Sequence, residues 1–332
     1  MKLFHSLLYP LLGGLFCLSC SDDEQDTGTK QPTTAGEVTF GVDLTGFSTR
    51  VTQDGSSWND GDKIGTYVLD MKTLEPVTEA ANVPYVCSEE GASVSFTSTT
   101  PLKVQNDGTP VKFVAYYPYN ADVRNFNYPV QLAAQERGST ACDLLYAATK
   151  EEYTYSPENE PHISLNFTHR LAKVILKFVN MEKEPLEVSD VRIEGMQTAA
   201  SFNIQTDVLT VDESSVATIN PYHNATTGFY EAIILPSALT DSYKVSFVLD
   251  DREKEWIFTN LDIALPQFHK GYSYTFALYI DDSGFVEMGR LENVEGGNSS
   301  APWEDGSSED GTAEGDKTPV SGYAFTPADG TQ

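Results

Sequence analysis

The feature that most constrains this chain is a succession of short apolar segments with an alternating pattern, separated by turn residues. Such segments, rich in Val, Ile, Phe, Tyr and Thr, are typical of β-strands, and their number and spacing favour β-sandwiches over βαβ units. We therefore predict an all-β protein. The predicted strands cover residues 38–42, 63–69, 94–96, 111–117, 163–167, 172–179, 188–193, 243–249, 256–258 and 272–280.

The segment 172–178 illustrates the pattern. Its lysines, Lys173 and Lys177, point to one face, and the apolar residues between and after them point to the other. This alternation predicts a strand with one buried face. We expect it to pair with the next strand along the chain, residues 188–193.

The first residues resemble an export signal. Lys2 precedes an almost wholly apolar run over residues 3–18, which is shorter than the roughly 20 residues that a membrane-spanning helix needs. We predict a signal peptide over residues 1–19. Cys20 follows Leu-Ser, as in the lipobox of bacterial lipoproteins, although Cys17 stands where that motif usually has Leu. We therefore predict a lipid on Cys20, with a plain secretory signal and an unmodified cysteine as the alternative.

Residues 21–24, Ser-Asp-Asp-Glu, resemble the acidic signal that sends lipoproteins of Bacteroidetes to the outer face of the outer membrane. We therefore expect a surface-exposed lipoprotein of the cell outer membrane. Several acyl chains on one cysteine would hold it firmly, because each buried methylene contributes about 0.8 kcal/mol.

The charge and the cysteines narrow the choice of partners and of covalent links. The formal net charge is −28 and the pI is near 4.3. Such a charge repels phosphate backbones, so we expect no binding of nucleic acid. Cys87 and Cys142 remain after export and lipidation. Two cysteines are no disulfide framework, and we expect buried free thiols, with a disulfide between them as the alternative.

The composition also divides the chain into regions. A stretch rich in Asp, Thr, Gln and Gly before the first strand predicts a flexible tether. The remaining length suffices for two domains, and the polar stretch 156–161 predicts the boundary between them. Pro185 marks an alternative boundary. The predicted regions are a tether at 20–36, an N-terminal β-sandwich domain at 37–160, a C-terminal β-sandwich domain at 161–292 and an acidic Gly/Ser-rich tail at 293–332.

Several motifs follow one another along the chain, and no single one is diagnostic. They are Thr49-Arg50-Val51, Trp58-Asn59-Asp60-Gly61-Asp62-Lys63-Ile64-Gly65, Ala115-Tyr116-Tyr117-Pro118-Tyr119, Asp143-Leu144-Leu145-Tyr146-Ala147, Phe167-Thr168-His169-Arg170-Leu171-Ala172-Lys173 and Phe268-His269-Lys270-Gly271-Tyr272-Ser273-Tyr274-Thr275-Phe276. Together and in this order they resemble the fimbrillin family of Bacteroidetes, which includes FimA- and Mfa-like pilus subunits. The resemblance implies two tandem transthyretin-like β-sandwich domains and a role in surface fimbriae or related adhesive structures.

The motif after Trp58 also has a structural interpretation. Asn-Asp-Gly-Asp at residues 59–62 predicts a tight turn in which Gly61 adopts positive φ, and Trp58 would anchor that turn to the core. A calcium loop is the alternative, but it needs about six or more oxygens from a longer segment.

The aromatic motif around Pro118 has two interpretations as well. Tyr116, Tyr117 and Tyr119 suit an exposed platform on which a glycan stacks. We expect them instead to close one end of a sandwich, with their hydroxyls reaching solvent or backbone.

The sequence does not predict an enzyme. Its histidines show neither the HExxH pattern nor the spacing of paired zinc ligands. It contains no Gly-x-Ser-x-Gly elbow and no Gly-rich phosphate loop between a strand and a helix. We therefore predict no catalytic residue, no metal and no cofactor. His169, beside Arg170, is interpreted as a structural histidine at the junction of the domains.

The family resemblance further implies a mechanism of assembly. In fimbrillins, stalk subunits travel as lipoproteins, an arginine-specific protease cuts after the first strand, and a strand of the next subunit fills the groove. The bond between Arg50 and Val51 is suitably placed, because it follows the predicted strand 38–42 and precedes a polar stretch. Such β-augmentation gains affinity from main-chain hydrogen bonds and specificity from side-chain pockets. The alternative is that Arg50 is an uncut surface residue.

The tail holds one apolar-bearing segment after its acidic stretch, residues 318–327. Val320, Tyr323 and Phe325 would be the side chains of a donor strand, and residues 296–317 would be its flexible linker. Prolines and a glycine within the segment weaken a regular strand. The alternative, which the acidic composition favours, is a tail that is disordered in the isolated protein.

Two functions stay open at this stage. The first is a structural or adhesive subunit of cell-surface fimbriae, whose partners are other fimbrial subunits or copies of itself. The second is a surface lipoprotein that does not polymerise and binds a host or dietary glycan or protein. In both cases the lipid on Cys20 would attach the exported chain to the outer membrane.

Overall fold

The chain is all-β, as predicted, with one short 3₁₀ helix at Ser139–Cys142. The structure, a computed structural model, describes residues 35–43, 58–78, 81–91, 93–135, 138–158, 160–181, 187–249, 251–261, 265–280, 289–292 and 304–305. The first strands are β1 Ala35–Glu37, β2 Thr39–Asp43, β3 Lys63–Asp70, β4 Val83–Cys87, β5 Ser93–Thr97, β6 Lys103–Gln105, β7 Val111–Tyr117, β8 Asn127–Gln131, β9 Leu145–Ala148, β10 His162–Ser164 and β11 Thr168–His169. The later ones are β12 Ala172–Asn180, β13 Val188–Glu194, β14 Ala199–Asn203, β15 Val208–Val211, β16 Tyr222–Asn224, β17 Phe229–Ile234, β18 Ser237–Ala238, β19 Lys244–Leu249, β20 Arg252–Ile257, β21 Gln267–Phe268, β22 Tyr272–Ile280, β23 Arg290–Glu292 and β24 Glu304–Asp305.

An eight-stranded sheet, here the first sheet, contains most of the early strands in the order β10-β2-β5-β4-β3-β7-β9-β11. Both of its outer strands come from one extended segment, residues 162–169, which pairs with β2 at its start and with β9 at its end. One face of this sheet packs on a cluster that we call the first core. Its largest side chains are Phe40, Trp58, Tyr85, Phe96, Phe113 and Phe167.

The two central strands β3 and β7 are buried on both faces. The clean alternation predicted for residues 63–69 and 111–117 is therefore wrong. The reason is that a separate cluster, which we call the third core, covers the outward side chains of these strands. A strand covered on both sides has no solvent face to keep polar.

Most of the later strands form a sandwich. A six-stranded sheet has the order β16-β17-β12-β22-β23, with β24 also paired to β22, and a three-stranded sheet has the order β13-β19-β20. Side chains of both sheets, including Val174, Phe247, Trp256 and Phe276, pack in one cluster that we call the second core.

The predicted partner of residues 172–178 is wrong. β12 pairs with β17 and runs parallel to β22, whereas β13 pairs with β19 in the other sheet. The face that each side chain takes was predicted correctly, since Val174 is buried and Lys173 is partly exposed. Periodicity determines the buried face of a strand but carries no information about its neighbour.

The third core joins early and late parts of the chain. β8 pairs with β14, and β14 pairs with β15, in a small antiparallel sheet. Phe202 of this sheet packs with Tyr67 and Val114 of the first sheet and with Ile233 of β17. The described residues consequently form one compact unit.

The predicted domain limits stay predictions, but several strands lie across them. β10 and β11, after the limit at residue 160, belong to the first sheet. β1 begins at Ala35, inside the predicted tether, and pairs with β6. β24 lies in the predicted tail and pairs with β22 at Tyr272 and Ser273. No helix among the described residues is long and apolar enough to cross a membrane.

Candidate functional site

The candidate site is the groove that β2 occupies in the first sheet. β2 lies between β10, to which it is parallel, and β5, to which it is antiparallel. The register places Phe40 opposite Ile163 on one side and opposite Phe96 on the other. A strand from the start of the described chain therefore fills an interior place in the sheet.

The inward face of this segment is buried. Val38, Phe40 and Val42 are 1%, 0% and 2% exposed. The Phe40 ring packs edge to face on Tyr85 and Phe113, with centroid separations of 4.8 and 5.8 Å. Each such side chain contributes about 1.5–3 kcal/mol when buried, so together they supply on the order of 5 kcal/mol. Loss of the segment would open an apolar groove of matching shape.

Hydrogen bonds hold both ends of the segment. The Val38 N–H donates to the Leu102 carbonyl at 2.9 Å. The Tyr85 hydroxyl donates to the Val38 carbonyl at 2.9 Å and accepts from the Leu102 N–H at 2.8 Å. At the other end the Leu165 N–H donates to the Gly41 carbonyl at 2.9 Å. Burial raises the pKa of Tyr85 to about 12, so its hydroxyl remains a donor at neutral pH.

The turn predicted at residues 59–62 is confirmed. Gly61 has a φ of +88°, and the Asn59 N–H donates to Asp62 Oδ2 at 2.7 Å. Trp58 is fully buried and packs edge to face on Phe96, so it anchors the turn as predicted. Burial raises the pKa of Asp62. In the described ranges, no group of three His, Cys, Asp or Glu residues is placed to hold a metal ion.

The tyrosines near Pro118 are not an exposed platform. Tyr116 and Tyr117 are buried and Tyr119 is half-buried. The Tyr116 hydroxyl donates to Asn82 Oδ1 at 2.7 Å and lies 3.1 Å from the Asn120 carbonyl. Burial raises the pKa of Tyr116 and Tyr117 well above the usual value. Tyr116 belongs to the third core and Tyr117 to the first core. That these rings close one end of a sandwich stays a prediction.

His169 makes a structural contact, as predicted. Its Nδ1 lies 2.9 Å from both carboxylate oxygens of Asp143, and both residues are buried. The pair connects β11 to the start of β9 beside the third core. This contact could not be predicted, because the two residues are separated by 26 positions.

Two further polar contacts that sequence reasoning missed tie the early part of the chain to the late part. Arg170 Nε and Nη2 donate to the two carboxylate oxygens of Asp207 at 2.5 and 3.0 Å, and the guanidinium lies over the Tyr146 ring. The buried Gln135 amide donates to the Ile233 carbonyl and accepts from the Ile233 N–H, both at 2.7 Å. Gln135 thus pairs with β17 as a strand residue would.

A surface groove of about 820 Å³ lies beside β9 and β10. Its lining carries both signs of charge, including Lys150, Glu151, Arg170 and Asp207, together with Tyr153.

The predicted site residues lie outside the described part of the chain. These are Cys20 for lipidation, Arg50 and Val51 for cleavage, and Val320, Tyr323 and Phe325 for the donor strand. The predicted signal peptide also lies outside the described residues. The strand that cleavage at Arg50 would remove is described, however, and its geometry is the one given above. Cys87 and Cys142 are both free thiols, the first buried and the second half-buried, so the expectation of free thiols is confirmed, with Cys142 less buried than expected.

Comparison with known proteins identifies the family. A sequence model of the fimbrillin-like family matches residues 49–303. The chain belongs to this family. No curated protein matches the fimbrillin-like chain in sequence.

Solved structures of similar fold come from Bacteroides species. A candidate cell adhesion protein from Bacteroides uniformis aligns with a TM-score of 0.63 and 22% identity, over 79% of this chain and 99% of its own. A second candidate cell adhesion protein, from Bacteroides ovatus, aligns with a TM-score of 0.57 and 15% identity, over 80% and 97% of the two chains. At these identities the likeness establishes a shared fold.

Proposed function

We propose that this fimbrillin-like chain is a structural and adhesive subunit of cell-surface fimbriae, exported as a lipoprotein and polymerised by donor-strand exchange after cleavage at Arg50. The observation that carries the proposal is the position of β2. It is the part of the first core that precedes Arg50 in the chain, and it occupies an interior place between β5 and β10.

The chemistry of exchange follows from this position. Cleavage after Arg50 would free residues 20–50 together with the lipid on Cys20. The vacated groove would expose the edges of β5 and β10 and the apolar surface that Phe40 covers, which is costly in water. A strand from a second subunit would restore both the hydrogen bonds and the burial. The donor in this proposal is residues 318–327, with Val320, Tyr323 and Phe325 as its apolar side chains.

The proposal gives the protein a place on the cell surface and no catalytic role. The lipid on Cys20 first holds the subunit at the outer membrane. Its partners are then other fimbrial subunits or copies of itself. The adhesion named for the Bacteroides uniformis and Bacteroides ovatus proteins of similar fold supports an adhesive role for the assembled structure.

Surface-sheared material from cells that build fimbriae tests the cleavage. We expect wild-type protein to run as SDS-resistant ladders whose first residue is Val51, and the Arg50→Ala variant to stay monomeric and begin at acylated Cys20. Arg252→Ala, at an exposed arginine of β20, is the matched control and should give wild-type ladders. Ladders from Arg50→Ala, or wild-type polymer that begins at Cys20, would contradict the proposal.

Deletion of residues 318–332 tests the donor separately. We expect this variant to be cut after Arg50 but to form no ladders, because the groove is vacated and nothing fills it. Unchanged polymer after the deletion would rule out this segment as the donor. In that case the groove would have to accept a different strand.

A further inference from the structure

One wall of the groove beside β9 and β10 is a row of small polar side chains. Along the extended segment 161–169 the odd-numbered residues are buried and the even-numbered ones are exposed. Exposed side chains therefore follow one another about 6.6 Å apart, since successive residues of a strand advance about 3.3 Å. They are an imidazole, two hydroxyls and an amide, and all of them line the groove, at His162, Ser164, Asn166 and Thr168. The Ser164 hydroxyl and the Asn166 amide make no hydrogen bond with another described residue, so both are available to a ligand.

The outer edge of β10 adds main-chain donors and acceptors to this wall. Toward β2, the Leu165 N–H donates to the Gly41 carbonyl at 2.9 Å. Residues whose main chain bonds to one neighbouring strand alternate with residues whose main chain points to the other side. The N–H and C=O groups of Ser164 therefore point away from β2, where no described strand pairs with β10.

The facing wall comes from β9 and the residues that follow it. The Thr149 N–H donates to the Phe113 carbonyl of β7 at 2.9 Å, so the main-chain groups of Ala148 point away from β7. On that side β11 pairs with β9 at Leu145 and Tyr146 only. Ala148, which lines the groove, consequently has no strand partner there among the described residues.

The charged side chains of the groove balance one another. Its lining holds three positive and three negative side chains, Lys112, Lys150, Arg170, Glu151, Glu152 and Asp207. Two hydrogen bonds already join Arg170 to Asp207. The groove is therefore neutral when His162 is neutral, on a chain whose formal net charge is −28. This balance favours a ligand without net charge.

We propose that this groove binds a neutral oligosaccharide. A sugar hydroxyl both donates and accepts hydrogen bonds, and the groove offers main-chain groups of both kinds beside hydroxyls and an amide. The half-buried ring of Tyr153 packs edge to face on Phe113, with a centroid separation of 5.7 Å, and supplies an apolar surface for one face of a sugar. The groove volume of about 820 Å³ lies within the range of ligand sites in proteins.

An extended peptide suits the groove less well. A peptide that pairs with a strand edge gains specificity from pockets that take its alternate side chains. Ile163 and Tyr146 line the groove but are only 5% and 4% exposed, so they form no such pocket. The two walls also diverge, because the segment 162–169 pairs with β9 at its end and with β2, at the far side of the sheet, at its start. One added strand cannot bond to both edges.

An array of immobilised glycans tests the proposal on purified full-length protein. The array carries neutral oligosaccharides of mannose, glucose, galactose and xylose, with sialylated and sulfated glycans beside them. We expect binding to at least one neutral oligosaccharide, with a signal that changes less than about twofold between low and high salt, because no ion pair is screened. Binding to none of the neutral probes, or to charged probes alone, would overturn the proposal.

Filling the groove should remove that binding. Ser164→Trp places a large ring in the row of small side chains and should weaken binding about tenfold or more, because the site is then overpacked. Ser201→Trp, at an exposed serine of β14, is the matched control and should bind as the wild type does. Both serines are exposed, so both variants should melt with the wild type. Undiminished binding by Ser164→Trp would overturn the assignment of the groove.

A smaller change tests the same row without adding bulk. Asn166→Ala removes an exposed amide and should weaken binding about threefold to tenfold, the worth of one hydrogen bond. Asn127→Ala, at an exposed amide of β8, is its control and should have no effect. Equal binding by the two alanine variants would contradict a contact between the glycan and Asn166.

The inference deepens the adhesive part of the proposed function, on which it rests, and requires neither cleavage at Arg50 nor assembly. Protein that forms ladders beginning at Val51 but binds no neutral glycan contradicts the inference alone. Protein that binds through the groove but never forms ladders contradicts the proposed polymerisation and supports the groove as the adhesive site.

Discussion

The first and second cores differ in the length and chain position of the strands that occupy the interior of their sheets. In the second core the central pair is β12 and β22, nine residues each, aligned from Lys173 with Ser273 to Asn180 with Ile280. In the first core, an interior place belongs to β2, five residues long and located before the segment with Arg50. A long central pair cannot leave its sheet without destroying it, whereas a short strand at one end of the chain can. This difference favours the first core as the place of the proposed strand exchange.

The strand edges of the two regions support the same distinction. In the three-stranded sheet, the outer strand β20 carries charged residues over 252–255, and β13 has a bulge at Asp190, where φ is +49°. Both features are known to discourage pairing with another chain. In the first sheet, by contrast, both outer places belong to the single segment 162–169. A partner strand would therefore enter the first sheet at an interior place, once β2 has left.

Removal of the N-terminal strand should produce the largest effect on this comparison. A chain that begins at Val51 should lose on the order of 5 kcal/mol of unfolding free energy, a large part of the roughly 5–15 kcal/mol that a native protein has. Hydrogen exchange should rise in β5 and β10 and stay slow in β12 and β22. Equal protection of both cores in the shortened chain would contradict the distinction between them.

Two phenylalanine truncations should measure what one buried ring contributes to each core. Phe40→Ala and Phe276→Ala remove fully buried rings from the first and the second core, and each should cost about 3–5 kcal/mol in denaturant unfolding. The cost of Phe40→Ala requires β2 in place, whereas that of Phe276→Ala does not. An effect of Phe40→Ala below about 1 kcal/mol would mean that β2 contributes little to its core.

Alkaline pH should affect the two cores through different tyrosines. Burial raises the pKa of Tyr85 in the first core and of Tyr274 in the second to about 12. Since the folded-state pKa lies above the unfolded value of about 10, the stability that each neutral tyrosine contributes is complete below pH 10 and is lost as the pH rises toward 12, by about 2–3 kcal/mol per group.

Fluorescence can resolve that loss, because Trp58 is buried in the first core and Trp256 in the second. Each is observed alone after Trp303 and the other tryptophan are replaced by phenylalanine. Tyr85→Phe should flatten the pH dependence that Trp58 reports, and Tyr274→Phe should flatten the one that Trp256 reports. Crossed effects would show that the cores respond as one unit.

Turn glycines should give the smallest effects, equal in both regions. Gly61 and Gly228 have φ of +88° and +75°, and a Cβ at either would meet no atom within 4 Å. Replacement by alanine should therefore cost about 1 kcal/mol, from backbone strain alone. A larger loss for Gly61→Ala in thermal melts would show that the turn after Trp58 does more than reverse the chain.

The parts of the fold that could be predicted are those that local pattern encodes. Alternation indicated most strands, and Asn-Asp-Gly-Asp after Trp58 indicated a turn. The burial of β3 and β7 on both faces could not be predicted, because it depends on β8 and β14, which are brought together over a long stretch of chain. The candidate site was likewise predicted only where local pattern encodes it. Residues 38–42 were identified as a strand before Arg50, whereas the pairing of β2 with β10 depends on a contact between distant segments.

The pairing of β2 with β10 has a consequence for the order in which the protein folds. Thr39 contacts Pro161, 122 positions later in the chain. As the chain is made from its first residue, residues 35–43 emerge early and can pair with β5 and β6, but the other edge of β2 stays open until β10 arrives. Contacts this far apart form slowly, because a long loop must close first. We expect the pairing of β2 with β10 to form after its pairing with β5, so the nascent protein exposes one unpaired edge of β2 for a time.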